Sequence, residues 1–323
     1  MSFIRTLHLL CFLFCVGCNL QLNAQDTTRI TIDTSIIDSV QVDSSQTTID
    51  AKPTRYQLQK EEFTFVLYLI SSELYDDALY ELNRLNTDSI ANPNMQDSIN
   101  YYIGWIKYFK QDFLGAIASF SAVESSSLVV ASSFYHSICH IQIDSLAKAR
   151  QVLQNIDVST DAKLNNLKIL QLRGISLLER DFASYDSLSA LNVERSFITE
   201  SETNEMSNYA DLMGSFKRKS PWIAGLLSAI IPGLGKFYVG YRGTPFGAMY
   251  MTIPLGAIVA ESLIIAGVAS LQFIALGALF GVFYVGNVWG SILSVYAKEQ
   301  EFYEELDHNI EFDLHTPVRR AFR

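Results

Sequence analysis

The 323 residues are 49% hydrophobic and only 18% charged, too apolar for wholesale disorder and long enough for two domains. The formal net charge of −10 argues against nucleic acid as a partner and against a general electrostatic role on anionic lipid, since both repel acidic surfaces. The charge is also unevenly spread. Pro221–Ala297 holds three charged residues in 77, Lys236, Arg242 and Glu261, and 12 of the 17 glycines. Residues 25–220 hold 17 basic and 26 acidic side chains. A water-soluble acidic part is therefore joined to a membrane-embedded part, and no pattern points to an enzyme.

Residues 1–24 read as an export signal. Arg5 supplies the basic start, Leu7–Gly17 the apolar stretch, and Ala24 a small residue before the cut. A rival cut before Cys18 would make a lipoprotein, although Cys15 stands where such boxes usually place Leu. Cys15-Val16-Gly17-Cys18 has metal-knuckle spacing, but inside an export segment these are small apolar side chains. Cleavage at Ala24 leaves Cys139 as the one thiol, so the mature soluble part relies on packing and not on disulfides. Residues 25–55 are rich in Ser, Thr and Asp and read as a disordered linker.

From Tyr56 the apolar spacing becomes helical. Phe63, Val66, Leu67, Ile70, Leu74, Ala78, Leu79, Leu82 and Leu85 recur three and four apart around a turn at residues 71–77. Three further copies follow. Gly104, Phe113, Ala116 and Phe120 mark the second, Leu146, Ala147 and Leu153 the third, and Gly174 and Phe182 the fourth, with Tyr185 in the alanine position. Over residues 56–199 this resembles a degenerate tetratricopeptide repeat, whose helical hairpins stack into a solenoid. The resemblance implies a concave face for a peptide or protein partner, with Tyr101, Trp105 and Tyr108 as candidate contacts. Inter-repeat core is the competing role for these rings.

Few residues suggest chemistry. His136 and His140 share a helix face at metal-ligand spacing, but no second cluster completes a site and a packed pair is the simpler reading. Gly233-Leu234-Gly235-Lys236 lacks the spacing and the hydroxyl of a phosphate loop. No metal or cofactor is expected.

Residues 200–219 read as a polar linker and residues 220–297 as a transmembrane bundle of two or three helices. Thr244–Gly267 and Leu271–Ala297 are each long enough to span, whereas Trp222–Gly235 is too short without snorkelling by Lys236. Ser220-Pro221, Ala224, Ser228-Ala229 and the run PGLGKFYVG, with Pro232, Gly233, Gly235, Tyr238 and Gly240, resemble small bacterial transmembrane hairpin domains. That resemblance implies two membrane helices with a short Gly- and Tyr-rich connection, appended to repeat proteins of Bacteroidota-type envelopes. Gly277/Gly281 and Gly286/Gly290 are small-xxx-small pairs. Packing within the bundle is the favoured reading and homodimerisation the alternative. Glu261 and Asn287 are the intramembrane polar residues. Three spans would place the C-terminal tail opposite the repeats; two spans with a re-entrant first segment would return it, and the basic residues weakly favour three. Residues 298–323 form an acidic tail with Phe302, Tyr303, Leu306, Ile310 and Phe312 at helical spacing, a surface or partner-docking helix.

The expectation is an all-α chain, a degenerate solenoid followed by a transmembrane bundle. Its reading is a non-enzymatic scaffold anchored in the bacterial inner membrane, with the repeats in the periplasm binding a protein or peptide. The alternative is a small transporter or channel component using Glu261 and Asn287, with the repeats as its regulatory domain.

Overall fold

The structure is a computed structural model that describes residues 55–87, 92–124, 127–191 and 196–322. The export signal and residues 25–54 lie outside the described residues. Among the described residues there are 13 helices and no strand.

Eight helices form four hairpins in chain order: α1 (Arg55–Ser71) with α2 (Tyr75–Thr87), α3 (Pro93–Phe109) with α4 (Phe113–Phe120), α5 (Val129–Gln142) with α6 (Leu146–Asn155), and α7 (Ala162–Leu178) with α8 (Phe182–Ser189). Each helix packs on the next one along the chain. The four turns share one conformation. Glu73, Gln111, Asp144 and Arg180 have φ of 60°, 62°, 55° and 59°, a left-handed geometry that costs a non-glycine residue about 1 kcal/mol or more. In each turn the next N–H reaches back five residues: Leu74 to Leu69, Asp112 to Lys107, Ser145 to His140 and Asp181 to Ser176, at 2.8–2.9 Å. Asp112 and Asp181 then cap the following helix, accepting from the Gly115 and Ser184 amides at 3.0 Å, a contribution of about 1 kcal/mol each.

This turn fixes the repeat register. Five residues after each left-handed residue stand Ala78, Ala116, Ala149 and Tyr185, all buried. The expected register of the third copy is therefore corrected: Ala147 is exposed and Ala149 occupies the small-residue position. Both alanines belong to one short helix, and spacing alone did not say which one faced inward.

The expected polar linker at 200–219 is largely a helix, α9 (Glu200–Ser215), which buries Met206 and Met213 against α7 and the C-terminal helix. Two methionines seven residues apart make too thin a stripe to read as a core face from sequence. After residues 216–220 come two short helices, α10 (Pro221–Ile230) and α11 (Leu234–Val239), and two long ones, α12 (Thr244–Ala266) and α13 (Leu271–Ala321).

Helices α12 and α13 are the two that are long and apolar enough to cross a membrane. Only 11% and 6% of their apolar windows are buried within the chain, so their side chains face outward, as lipid contact requires and a soluble core does not. Helix α13 runs unbroken for 51 residues, about 76 Å at 1.5 Å per residue. Its first half packs on α10, α11 and α12. Its second half packs on α9, α7 and α5. The last apolar segment, Leu271–Ala297, and the acidic tail of the sequence reading are thus one helix.

Candidate functional site

Two places combine specific residues with an unusual geometry. The first is the face of the hairpins on which the C-terminal half of α13 packs. Leu306, Ile310, Leu314 and Val318 recur every four residues and are 0–5% exposed. The seat for this stripe is built into α7: a methyl group placed on Gly174 would lie 2.5 Å from Leu314 Cδ2. Gly104, the matching residue of α3, instead makes room for Phe120 of its own hairpin, 2.8 Å away. Equivalent glycines therefore serve a local contact in one copy and a contact with the tail in another.

Charged groups fix the helix lengthwise. The Arg180 guanidinium donates to both carboxylate oxygens of Asp307 at 2.8 Å and lies over the Tyr303 ring. Four residues on, Glu311 accepts from Gln142 Nε2 at 3.3 Å. Tyr209 of α9 donates to Asp313 at 2.8 Å, and Arg320 donates to the buried Glu202 at 2.9 Å. Further along, His315 meets the Tyr108 ring edge-on at 5.5 Å, Arg319 covers Phe109, and Phe322 meets Phe134. Arg180 reaches Asp307 because its left-handed turn projects it there; the tail descends from the fourth hairpin to the second.

Burial shapes the titration of this contact. Desolvation, with Arg319 beside it, pushes the His315 imidazole down to about 4. Burial raises the Glu311 and Asp313 carboxyls above their ordinary values, while hydrogen bonds from Gln142 and Tyr209 partly oppose it. His315 Nε2 and Glu202 Oε2 are buried without a hydrogen-bond partner.

The rings singled out by sequence sit beside this face. Tyr101 and Tyr108 are 5% and 7% exposed and pack on Tyr135, which also stacks on Phe120. Trp105 is half-buried between Tyr75 and Phe109. Of the three, Tyr108 touches the tail. His136 and His140 lie with ring centroids 4.8 Å apart, and burial first, then the neighbouring imidazole, pushes His136 down to about 4. Cys139 between them is buried, its thiol pushed up to about 12. Among the described residues no three His, Cys, Asp or Glu side chains are grouped to hold a metal ion.

The second place is the apolar hairpin of α10 and α11. Helix α10 is 10 residues, about 15 Å, half of a hydrocarbon core. Lys219, just before α10, donates to the Tyr238 carbonyl in α11 and lies over its ring, so the segment leaves where it entered. The PGLGKFYVG run is what such a return needs. Gly233 turns the chain at φ +91°, and a methyl on Gly235 would fall 1.9 Å from the Ala224 carbonyl. The Gly235 amide donates to Ser228 Oγ at 2.9 Å, Ser228 and Ser291 share a 2.6 Å hydrogen bond, and Tyr284 donates to the Ala229 carbonyl. Gly240, at φ +115°, closes α11.

The α10–α11 segment therefore doubles back on itself, and α12 and α13 are the two candidate crossings. Of the two- and three-span alternatives, the two long apolar helices fit the two-span one, and the C-terminal half of α13 packs on the hairpins. The small-residue pairs are also corrected. Gly277, Gly281 and Gly286 have nothing within 4 Å of where a side chain would begin, and Gly290 meets only the Lys236 amine end at 3.9 Å. Close packing within the bundle does not account for them.

Glu261 and Asn287 are not brought together. Glu261 is exposed, five residues before the end of α12. Asn287 is buried on α13, 16 residues past Leu271, or about 24 Å along the helix. Neither amide atom of Asn287, nor the Ser262 hydroxyl, has a hydrogen-bond partner, so neither one compensates Glu261.

The sequence reading missed the docking of the tail on its own stack. Leu306 and Ile310 were visible as part of a helical stripe; Leu314 and Val318 complete it at the same spacing. Comparison with known protein families, curated proteins and solved structures finds no match for this chain.

Proposed function

We propose that this chain is a non-enzymatic scaffold, fixed to a membrane by the α12–α13 hairpin and presenting a tetratricopeptide-like helical stack that binds a protein or peptide partner. The observation that carries the reading is α13, in which one helix is both a membrane span and the occupant of the stack groove. Such a continuous rod holds the stack at a set height and rotation above the bilayer. The repeated left-handed turns and the register of Ala78, Ala116 and Ala149 support the solenoid part of the reading. Of the rings of Tyr101, Trp105 and Tyr108, Tyr108 supports a place on that surface, since it meets the tail at His315, while Tyr101 packs on Phe120 and Tyr135. The unfilled faces at Gly277, Gly281 and Gly286 support a homodimer in the membrane.

The export reading of residues 1–24 puts the stack in the periplasm and the hairpin in the inner membrane. The juxtamembrane charge opposes it: Lys217, Arg218, Lys219, Arg242 and Lys298 lie toward the stack, while the turn at 267–270 has no charge. The export signal takes precedence because the first segment usually dominates orientation and domains cross largely regardless of charge. The transporter alternative loses support from the separation of Glu261 and Asn287.

The test is cysteine labelling of a cysteine-free chain in intact vesicles. Ser207→Cys and His308→Cys should react with an impermeant maleimide from one side, and Val268→Cys from the other. Val268→Cys reacting on the same side as Ser207→Cys would sink the two-crossing anchor. Solute flux in proteoliposomes that disappears on Glu261→Gln would instead establish the transporter reading.

A further inference from the structure

We infer that the groove of the stack is a receptor for an acidic amphipathic helix in trans, and that residues 303–321 of α13 are its resident competitor. The inference rests on the scaffold reading and names the chemistry of the partner.

The groove specifies its occupant closely. It takes aliphatic side chains four residues apart, as Leu306, Ile310, Leu314 and Val318 show, so the ligand is a helix and not an extended peptide. A carboxylate one residue after the first aliphatic meets the Arg180 fork, as Asp307 does. A second carboxylate six residues later meets Tyr209, as Asp313 does, and a cation seven residues beyond that meets Glu202, as Arg320 does. Gly174 demands that the third aliphatic be shaped like Leu314.

The same contact is built to be undone. It is laced with polar groups, and the Arg180 and Asp307 side chains remain 31% and 33% exposed. His315 Nε2 and Glu202 Oε2 are buried with no partner, and Glu311 and Asp313 are desolvated enough to hold protons more readily. Buried polar atoms left unpaired cost free energy that a better-matched helix would recover. Because α13 is unbroken, release means that the stack swings away about residues 216–219, which lie between α9 and the start of α10, and not that the tail peels off. Arrival of the partner would in this way change the position of the stack over the membrane.

The probe is a fluorescent synthetic peptide copying residues 300–321, titrated onto the full chain in lipid nanodiscs. The double variant Ile310→Asp/Leu314→Asp, which ejects the resident helix, should bind it at least tenfold more tightly than the unaltered chain. Adding Arg180→Glu should take that gain away, and a peptide carrying the same two aspartates should bind neither. Equal binding to the unaltered chain and to the double variant, or no binding to a variant with full helical circular dichroism, overturns the inference. If the double variant loses its helicity, hydrogen exchange on the unaltered, isotope-labelled chain decides instead: excess peptide should speed exchange of residues 303–321 at least threefold. No acceleration overturns the inference as well. A silent peptide with the labelling pattern intact removes the competitor but leaves the anchor; a wrong-side Val268→Cys label removes the anchor whatever the peptide does.

Discussion

A methyl group on Gly174 tests the tail contact at one atom. In the folded chain that methyl would lie 2.5, 2.7 and 2.8 Å from Cδ2, Cδ1 and Cγ of Leu314. These are the ends of a flexible side chain, so the clash is relieved by tilting Leu314 out of its seat, an overpacking cost of about 1–3 kcal/mol. The better helix propensity of alanine acts on α7 whether or not the tail is docked, so it leaves the docking equilibrium untouched. Leu314→Ala alone should cost about 2–5 kcal/mol by leaving a cavity, since Leu314 is fully buried. In that background the Gly174→Ala methyl points into the vacated space, so its effect should fall to within about 0.5 kcal/mol of zero or become stabilising. The coupling in the double-mutant cycle is then at least about 1 kcal/mol. Opening free energies come from native-state hydrogen exchange of the amides of residues 303–321, which fray once undocked because an isolated helix of that length is marginal in water. Additivity of the two substitutions would refute the claim that Gly174 exists to seat Leu314.

Three other outcomes follow from the geometry. Acidification should loosen the tail: His315 is held neutral, with its pKa lowered from 6.5 to about 4, so docking is intact above pH 6.5 and weakens as pH falls toward 4. The loss is at most about 3 kcal/mol from a shift of this size, and proton uptake by Glu311 and Asp313, both raised in the docked state, opposes it as the pH falls. Exchange of the tail measured from pH 7 to 4 should show this slope, and His315→Gln should remove it. Ala116→Leu should cost about 1–3 kcal/mol because Ala116 is 0% exposed, whereas Ser121→Leu, at an exposed position, should stay within about 0.5 kcal/mol in urea unfolding of detergent-solubilised chain followed by tryptophan fluorescence. In the membrane, Gly235→Ala should cost more than about 2 kcal/mol, since its methyl meets the Ala224 carbonyl at 1.9 Å, while Gly281→Ala meets nothing within 4 Å and should be neutral in the monomer, as resistance to unfolding in mixed micelles would report.

Sequence by itself determined the parts that depend on local period and on solvent. The three- and four-residue spacing from Phe63 onward gave the hairpins, because a helix in water must bury one stripe. The near-absence of charge over residues 221–297 gave the membrane helices, because an ionised group in hydrocarbon is costly. The PGLGKFYVG run marked a special turn, since only glycine tolerates the backbone at Gly233 and the close approach at Gly235. What tertiary structure decided was which stripe meets which. Ala147 and Ala149 are indistinguishable by type, and the left-handed turn at Asp144 chose between them. Gly104 and Gly174 occupy matching places, yet one receives Phe120 from 16 residues away and the other Leu314 from 140 residues away. A long-range partner leaves no periodic trace at the residue that receives it. The reversal after α10 was hidden for the same reason: the hydrogen bonds that hold it, to Ser291 and Tyr284, and the return of Tyr238 to Lys219 join residues far apart in sequence.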